Sequence, residues 1–285
     1  MPASRRRRAY GQHFLRDATV INRIVDATME KVELHQARAL LEVGPGKGAI
    51  TRSLLECFPK AKSLERFLIV EKDQDLAADW IEQSKGHDRV EVVEADFLKV
   101  TKETYLSTTP LVVVSNLPYS AGTAILQELA ESPEKIPAMV LMFQAEVAHR
   151  LRAIPGEKAW GSLSLWMQNR WEVRKLISVP PGAFSPPPEV NSEVVVLEAR
   201  KEPMIRAPEG ASAEEITHWN TQWDKLIRIP FLHRRKMLRS GLPKNSIWKE
   251  SLDLAGIDGT RRAEDLDWND WEMWMNALHS LTFKV

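Results

Sequence analysis

The chain has 285 residues, 44% of them hydrophobic and 27% charged, and its 39 basic side chains balance its 39 acidic ones. That composition belongs to an ordinary globular protein and excludes a disordered or collagen-like chain, and no apolar run approaches the roughly 18 residues of a membrane span. No apolar leader follows the basic start Arg5, Arg6, Arg7 and Arg8, so a cytoplasmic protein with no membrane attachment is expected.

In chain order, Asp17 suits the N-cap of a first helix running to Glu30. Strands are then predicted over Ala39 to Val43, Phe67 to Glu71, Val90 to Glu94, Leu111 to Ser115 and Met139 to Phe143. Helices are predicted between or after them, over Ala49 to Cys57, Gln74 to Gln83, Gly122 to Glu131 and Gln144 to Ala153. This alternation is that of βαβ units around a mostly parallel sheet, an α/β fold.

Beyond Gly161 the order changes. Trp171 to Val179 and Val190 to Leu197 both read as strands with Pro180 to Pro188 between them, which predicts an antiparallel edge hairpin. Pro203, Pro208 and Gly210 mark a linker, and the Trp-, Arg- and Glu-rich remainder has helical periodicity. The expected organisation is an α/β domain over residues 1–202 and a small all-helical domain over residues 203–285. Trp268, Trp271 and Trp274 recur every three residues near the end and are expected in that domain's core, and the single cysteine, Cys57, as buried filler.

The first predicted strand runs into Gly44, Pro45, Gly46, Lys47 and Gly48, a glycine-rich turn between strand and helix that lets backbone approach a nucleotide. This turn alone fits a dinucleotide as well as S-adenosylmethionine. The next strand ends at Glu71, where a carboxylate can accept hydrogen bonds from ribose hydroxyls, and the third ends at Asp96, which can accept one from an adenine amine. Both cofactors offer those groups.

The fourth strand leads into Asn116, Leu117, Pro118 and Tyr119. An adenine amine is a poor nucleophile because its lone pair is delocalised into the ring. The Asn116 side-chain oxygen and the Leu117 carbonyl, in a turn stiffened by Pro118, could accept its two hydrogens and localise that lone pair. Tyr119 could stack on a base turned out of its nucleic-acid context, with Phe184 on the opposite face. A basic segment between Lys225 and Lys244, including Arg234, Arg235, Lys236 and Arg239, adds to Arg5–Arg8 as an expected polyanion-binding footprint.

Gly11 to Leu15, Glu42 to Gly48, Glu71, Asp96, Asn116 to Tyr119 and Val179 to Ser192 occur in this order over nearly the whole chain. Together they resemble the ribosomal RNA adenine dimethyltransferase family, and Phe231 to Arg239 is similar to its bacterial small-subunit (16S) branch. Ser120 to Thr123 departs from the more usual Asn-Ile-Ser-Thr. The resemblance implies a Rossmann-like S-adenosylmethionine-dependent methyltransferase domain, followed by a small helical RNA-recognition domain. It implies that His13, Leu15, Gly44, Gly46, Glu71, Asp96 and Asn116 bind S-adenosylmethionine, whose product is S-adenosylhomocysteine. It further implies that Asn116, Tyr119 and Phe184 handle the target adenine. The implied substrate is 16S ribosomal RNA in an immature small ribosomal subunit, acted on by a monomer that needs no metal. Open alternatives are a non-catalytic RNA- or DNA-binding assembly or transcription factor on the same fold, a DNA adenine methyltransferase and a nicotinamide dehydrogenase.

Overall fold

The strands at the centre of the chain have almost no polar face to give to solvent. Ala39–Val43 is buried at every position, and so are all but one position each of Arg66–Glu71, Leu111–Asn116 and Ala138–Gln144. Such runs suit a sheet covered on both sides. The computed structural model describes residues 13–283, so Arg5 to Arg8, Gly11 and Gln12 lie outside the described residues.

The chain opens with a short strand β1 (Phe14–Leu15) and helix α1 (Ala18–Leu34). Asp17 caps that helix, accepting from the backbone N–H of Thr19 at 2.9 Å and Val20 at 3.1 Å. There follow β2 (Ala39–Val43), α2 (Ala49–Cys57), β3 (Arg66–Glu71), α3 (Gln74–Gln83) and β4 (Val90–Glu94). Next come the one-turn α4 (Lys102–Tyr105), β5 (Leu111–Asn116), α5 (Gly122–Ala130) and β6 (Ala138–Gln144). Then α6 (Ala145–Arg152) and α7 (Ser162–Arg170) precede β7 (Trp171–Val179), β8 (Phe184–Ser185) and β9 (Ser192–Ala199).

The main sheet has the order β4-β3-β2-β5-β6-β9-β7. β4 through β6 in that order pair in parallel, and β9 pairs with β6 antiparallel. The expected edge strands are thus present, with β7 outermost. Alternate strand residues such as Leu40, Val112, Val114 and Val140 share one apolar core with Ile24 of α1 and Leu54 of α2. Cys57 packs against that core while staying partly exposed.

The helical remainder comprises α8 (Ala213–Leu226), α9 (Leu238–Gly241), α10 (Ile247–Leu254) and α11 (Trp268–Thr282). Trp271 and Trp274 are fully buried there and stack on each other with ring centroids 5.5 Å apart. The chain separates into two compact units, but the expected division after residue 202 needs correction. One unit holds residues up to Ala148 together with Glu172–Ala199; the other holds His149–Trp171 together with Arg200 onward. The physical reason is apolar packing. Trp160 and Leu165 are fully buried in the same core as Trp219, Trp223 and Trp271, so α7 belongs with the helices that follow the sheet.

Candidate cofactor site and active site

Parallel pairing brings the carboxyl ends of β2, β3, β4 and β5 to one edge of the sheet. β3 and β4 lie to one side of β2 and β5 and β6 to the other, so the strand order reverses between β2 and β5, and a ligand crevice is expected there. Ser115 Oγ, near the end of β5, donates to the Val43 carbonyl at the end of β2 and joins the two rims.

The glycine-rich turn leaves β2 with Gly44, Gly46 and Gly48 at φ +67°, +56° and +76°, which residues with a side chain adopt only under strain. The Gly46 N–H donates to Glu71 Oε2 at 3.0 Å and the Asp73 N–H to Glu71 Oε1 at 2.8 Å. Burial pushes the Glu71 carboxyl up, against the opposing pull of those backbone donors. The β1 residue Phe14 lies over the turn, where a side chain on Gly46 would meet its ring at 3.2 Å.

These elements enclose a cavity of about 410 Å³. His13 and Leu15, Gly44 and Gly46, Glu71, Asp96 and Asn116 all line it, so the whole expected cofactor set is brought together. Leu117, Pro118 and Tyr119 line it too, which sets the tetrapeptide against the same space. The turn after β5 is closed by the N–H groups of Ala121 and Gly122, which donate to the Pro118 carbonyl at 3.1 and 2.8 Å. The atypical Ser120–Thr123 therefore still forms a hydrogen-bonded turn.

Asp96 accepts from the Leu98 N–H at 3.2 Å and from Lys72 Nζ at 2.8 Å, and the Lys72 ammonium holds its carboxyl below the usual range. The Tyr119 hydroxyl bonds to Ser192 Oγ at 2.7 Å, and its ring stands 5.7 Å from that of His13. His13 Nδ1 in turn donates to the Pro186 carbonyl at 2.9 Å. Tyr119 is thus anchored at its polar end and at one edge of its ring.

One expectation requires correction. Phe184 does not line the cavity: it is 1% exposed, sits in β8 opposite Leu15 of β1, and belongs to the main apolar core. Its ring is therefore not available in this conformation to cover a base. Arg234, expected on a nucleic-acid surface, is held within its own unit by Glu264 at 2.7 Å and by the Lys158 carbonyl. Arg235, Lys236 and Arg239 are exposed as expected, beside Leu232 at 74% exposure.

Glu42 was not singled out from the sequence. It lines the cavity, is 2% exposed, and its Oε2 has no hydrogen-bond partner among the described residues. Burial pushes its carboxyl up to about 8, against the opposing pull of the Thr51 hydroxyl, with the nearby Glu71 carboxylate adding to the effect. The available signal was a lone carboxylate in the otherwise apolar strand β2, immediately before the glycine turn.

Comparison with known proteins shows the family. A family model described as ribosomal RNA adenine dimethylase matches residues 3–279. A protein of Saccharophagus degradans named ribosomal RNA small subunit methyltransferase A is 36% identical over 98% of this chain and 96% of its own. One of the same name from Alcanivorax borkumensis is 35% identical over 95% of this chain and 89% of its own. Among solved structures, the 23S rRNA methyltransferase ErmE superposes with a TM-score of 0.66 at 26% identity, covering 93% of this chain and 99% of that one. A dimethyladenosine transferase from Plasmodium falciparum shares the fold with a TM-score of 0.71 at 22% identity, covering 92% of this chain and 96% of that one.

Proposed function

The chain belongs to the ribosomal RNA adenine dimethylase family, and from that premise we propose that it dimethylates two adjacent adenosines of 16S ribosomal RNA at their exocyclic 6-amino groups. The adenosines lie in the 3′-terminal hairpin loop, and the methyl groups come from S-adenosylmethionine. In this reading the protein works as a cytoplasmic monomer on the immature small subunit. The observation that carries the reading is that Asn116–Tyr119 lines the same cavity as the glycine turn, Glu71 and Asp96.

The residues fit the cofactor. The turn accommodates a close ligand at glycine positions, and the Glu71 carboxylate lines the same space as a hydrogen-bond acceptor for ribose hydroxyls. When bound, S-adenosylmethionine supplies an electrophilic methyl group on a sulfonium and is converted to S-adenosylhomocysteine.

Every other contribution comes from the chain. The Asn116 side-chain oxygen and the Leu117 carbonyl accept the two amine hydrogens of the target adenine, making its nitrogen lone pair available. Pro118 stiffens the turn that holds both acceptors. The anchored Tyr119 ring stacks on one face of the base. No strong general base is needed, since the amine proton becomes acidic once nitrogen is alkylated and can leave to water. Arg235, Lys236 and Arg239 neutralise RNA phosphates. Phe184 could cover the second face only if β8 moved.

The small-subunit name carried by the relatives favours 16S RNA over the 23S RNA in the name of the solved ErmE. A non-catalytic binding factor is disfavoured by the intact acceptor pair at the cavity. The test is incubation of the protein with methyl-labelled cofactor and either immature small subunits or large-subunit RNA. Labelled dimethyladenosine is expected from the former. The Asn116→Ala variant should lose on the order of 10²- to 10³-fold in rate while still binding RNA. Label appearing in large-subunit RNA instead, or transfer by the variant near the wild-type rate, would overturn the reading.

A further inference from the structure

The glycine turn is gripped from behind by two side chains that do not line the cavity, Trp80 of α3 and Arg52 of α2. The Gly46 peptide units are held on both sides: the N–H by Glu71 Oε2 at 3.0 Å and the carbonyl by Trp80 Nε1, which donates to it at 2.9 Å. Arg52 Nη1 donates to the Lys47 carbonyl at 2.5 Å and reaches the Gly48 carbonyl at 3.3 Å. Its guanidinium lies over the Trp80 ring, 5.4 Å from the centroid.

Trp80 is 2% exposed, and a side chain on Gly48 would sit 2.0 Å from its Cζ2. Gly48 begins α2 with no side-chain cap of its own. Glycine has the largest backbone freedom of any residue, and this turn uses three of them in the left-handed region. Without outside donors, such a segment would spend much of its time away from the geometry a ligand needs, and binding would include the cost of ordering it.

We propose that Trp80 and Arg52 are positioning residues for the cofactor, holding the Gly46–Gly48 backbone and, through it, Glu71, in the binding geometry before the cofactor arrives. Neither touches the reacting atoms. If Trp80 were only a core filler of α3, removing its N–H would change stability and leave cofactor affinity alone.

The full-length variants Trp80→Phe, which keeps a ring beside Gly48 but no donor, and Arg52→Met, which keeps an apolar stem but no fork, separate these roles. The dissociation constant of S-adenosylhomocysteine, measured by titration calorimetry without RNA, should rise about three- to tenfold in each, the range expected for one lost hydrogen bond. The KM for S-adenosylmethionine should rise by a similar factor, with kcat at saturating cofactor within about twofold of wild type. RNA affinity should not change. The proposal fails if both folded variants bind S-adenosylhomocysteine within about twofold of wild type, or if kcat falls as far as KM rises. Arg52 is exposed, so Arg52→Met decides alone if Trp80→Phe does not fold.

Discussion

Glu42 stands where its neighbours in β2, Leu40, Leu41 and Val43, are apolar and buried, and its carboxyl is raised from the ordinary 4.5 to about 8. Between those values the folded protein keeps a proton on Glu42 that the unfolded chain has already lost. Folding stability from this group is therefore full below about pH 4.5 and is lost as the pH rises through about 8. Glu42→Gln has nearly the same shape and no charge to bury. Thermal melts of the cofactor-free protein should show the variant's advantage over wild type growing from about pH 5 to about pH 8.5. An offset independent of pH would mean that Glu42 is not the titrating group. The sequence shows this residue as a lone carboxylate in an apolar strand, and the structure adds that it faces the cavity. For Phe184, the motif suggested a base-stacking ring while its pairing with Leu15 puts that ring in the core.

Elements with a strong internal pattern were readable. β2, β3, β5 and β6 show as continuous apolar runs because both faces of each are covered, and α1 begins at Asp17, whose side chain caps it. α7 has no such pattern: Leu163, Ser164, Leu165, Met167 and Asn169 are all buried, so no single stripe marks the helix. β1 and β8 have two residues each and pair Phe14 with Ser185, a contact no local window contains. The basic run is uniform in sequence, but its members differ in partners. Combined replacement of Arg235 and Lys236 by Ala should reduce the slope of log affinity for RNA against log salt by about 1 to 2, leaving thermal stability unchanged. Arg234→Ala should instead lower the melting temperature by a few degrees with little change in that slope, since it breaks the Glu264 pair and a backbone contact. Equal effects on salt slope from all three residues would restore the single-surface reading.

The division of the whole chain bears on how it can be cut. A chain ending after residue 202 follows the change in composition, yet it would retain Trp160 and Leu165 without Trp219, Trp223 and Trp271, the partners that bury them. Such a chain should aggregate or bind hydrophobic dye strongly, and a cooperative, monomeric melt from it would contradict the assignment of His149–Trp171 to the helical unit. Among the described residues no helix is long and apolar enough to cross a membrane. By itself the sequence determined the βαβ alternation and the position of the glycine turn, Glu71, Asp96 and Asn116 at strand ends. Those features are local: in a parallel sheet, every motif that directly follows a strand is carried to the same edge. Only the tertiary structure decided that Phe184 is buried, that Glu42 faces the cavity with its Oε2 unpaired among the described residues, that Arg234 is bound within its unit, and that α7 joins the later helices. Each of these depends on which distant side chains fill the space around a residue, and packing of that kind has no period along the chain.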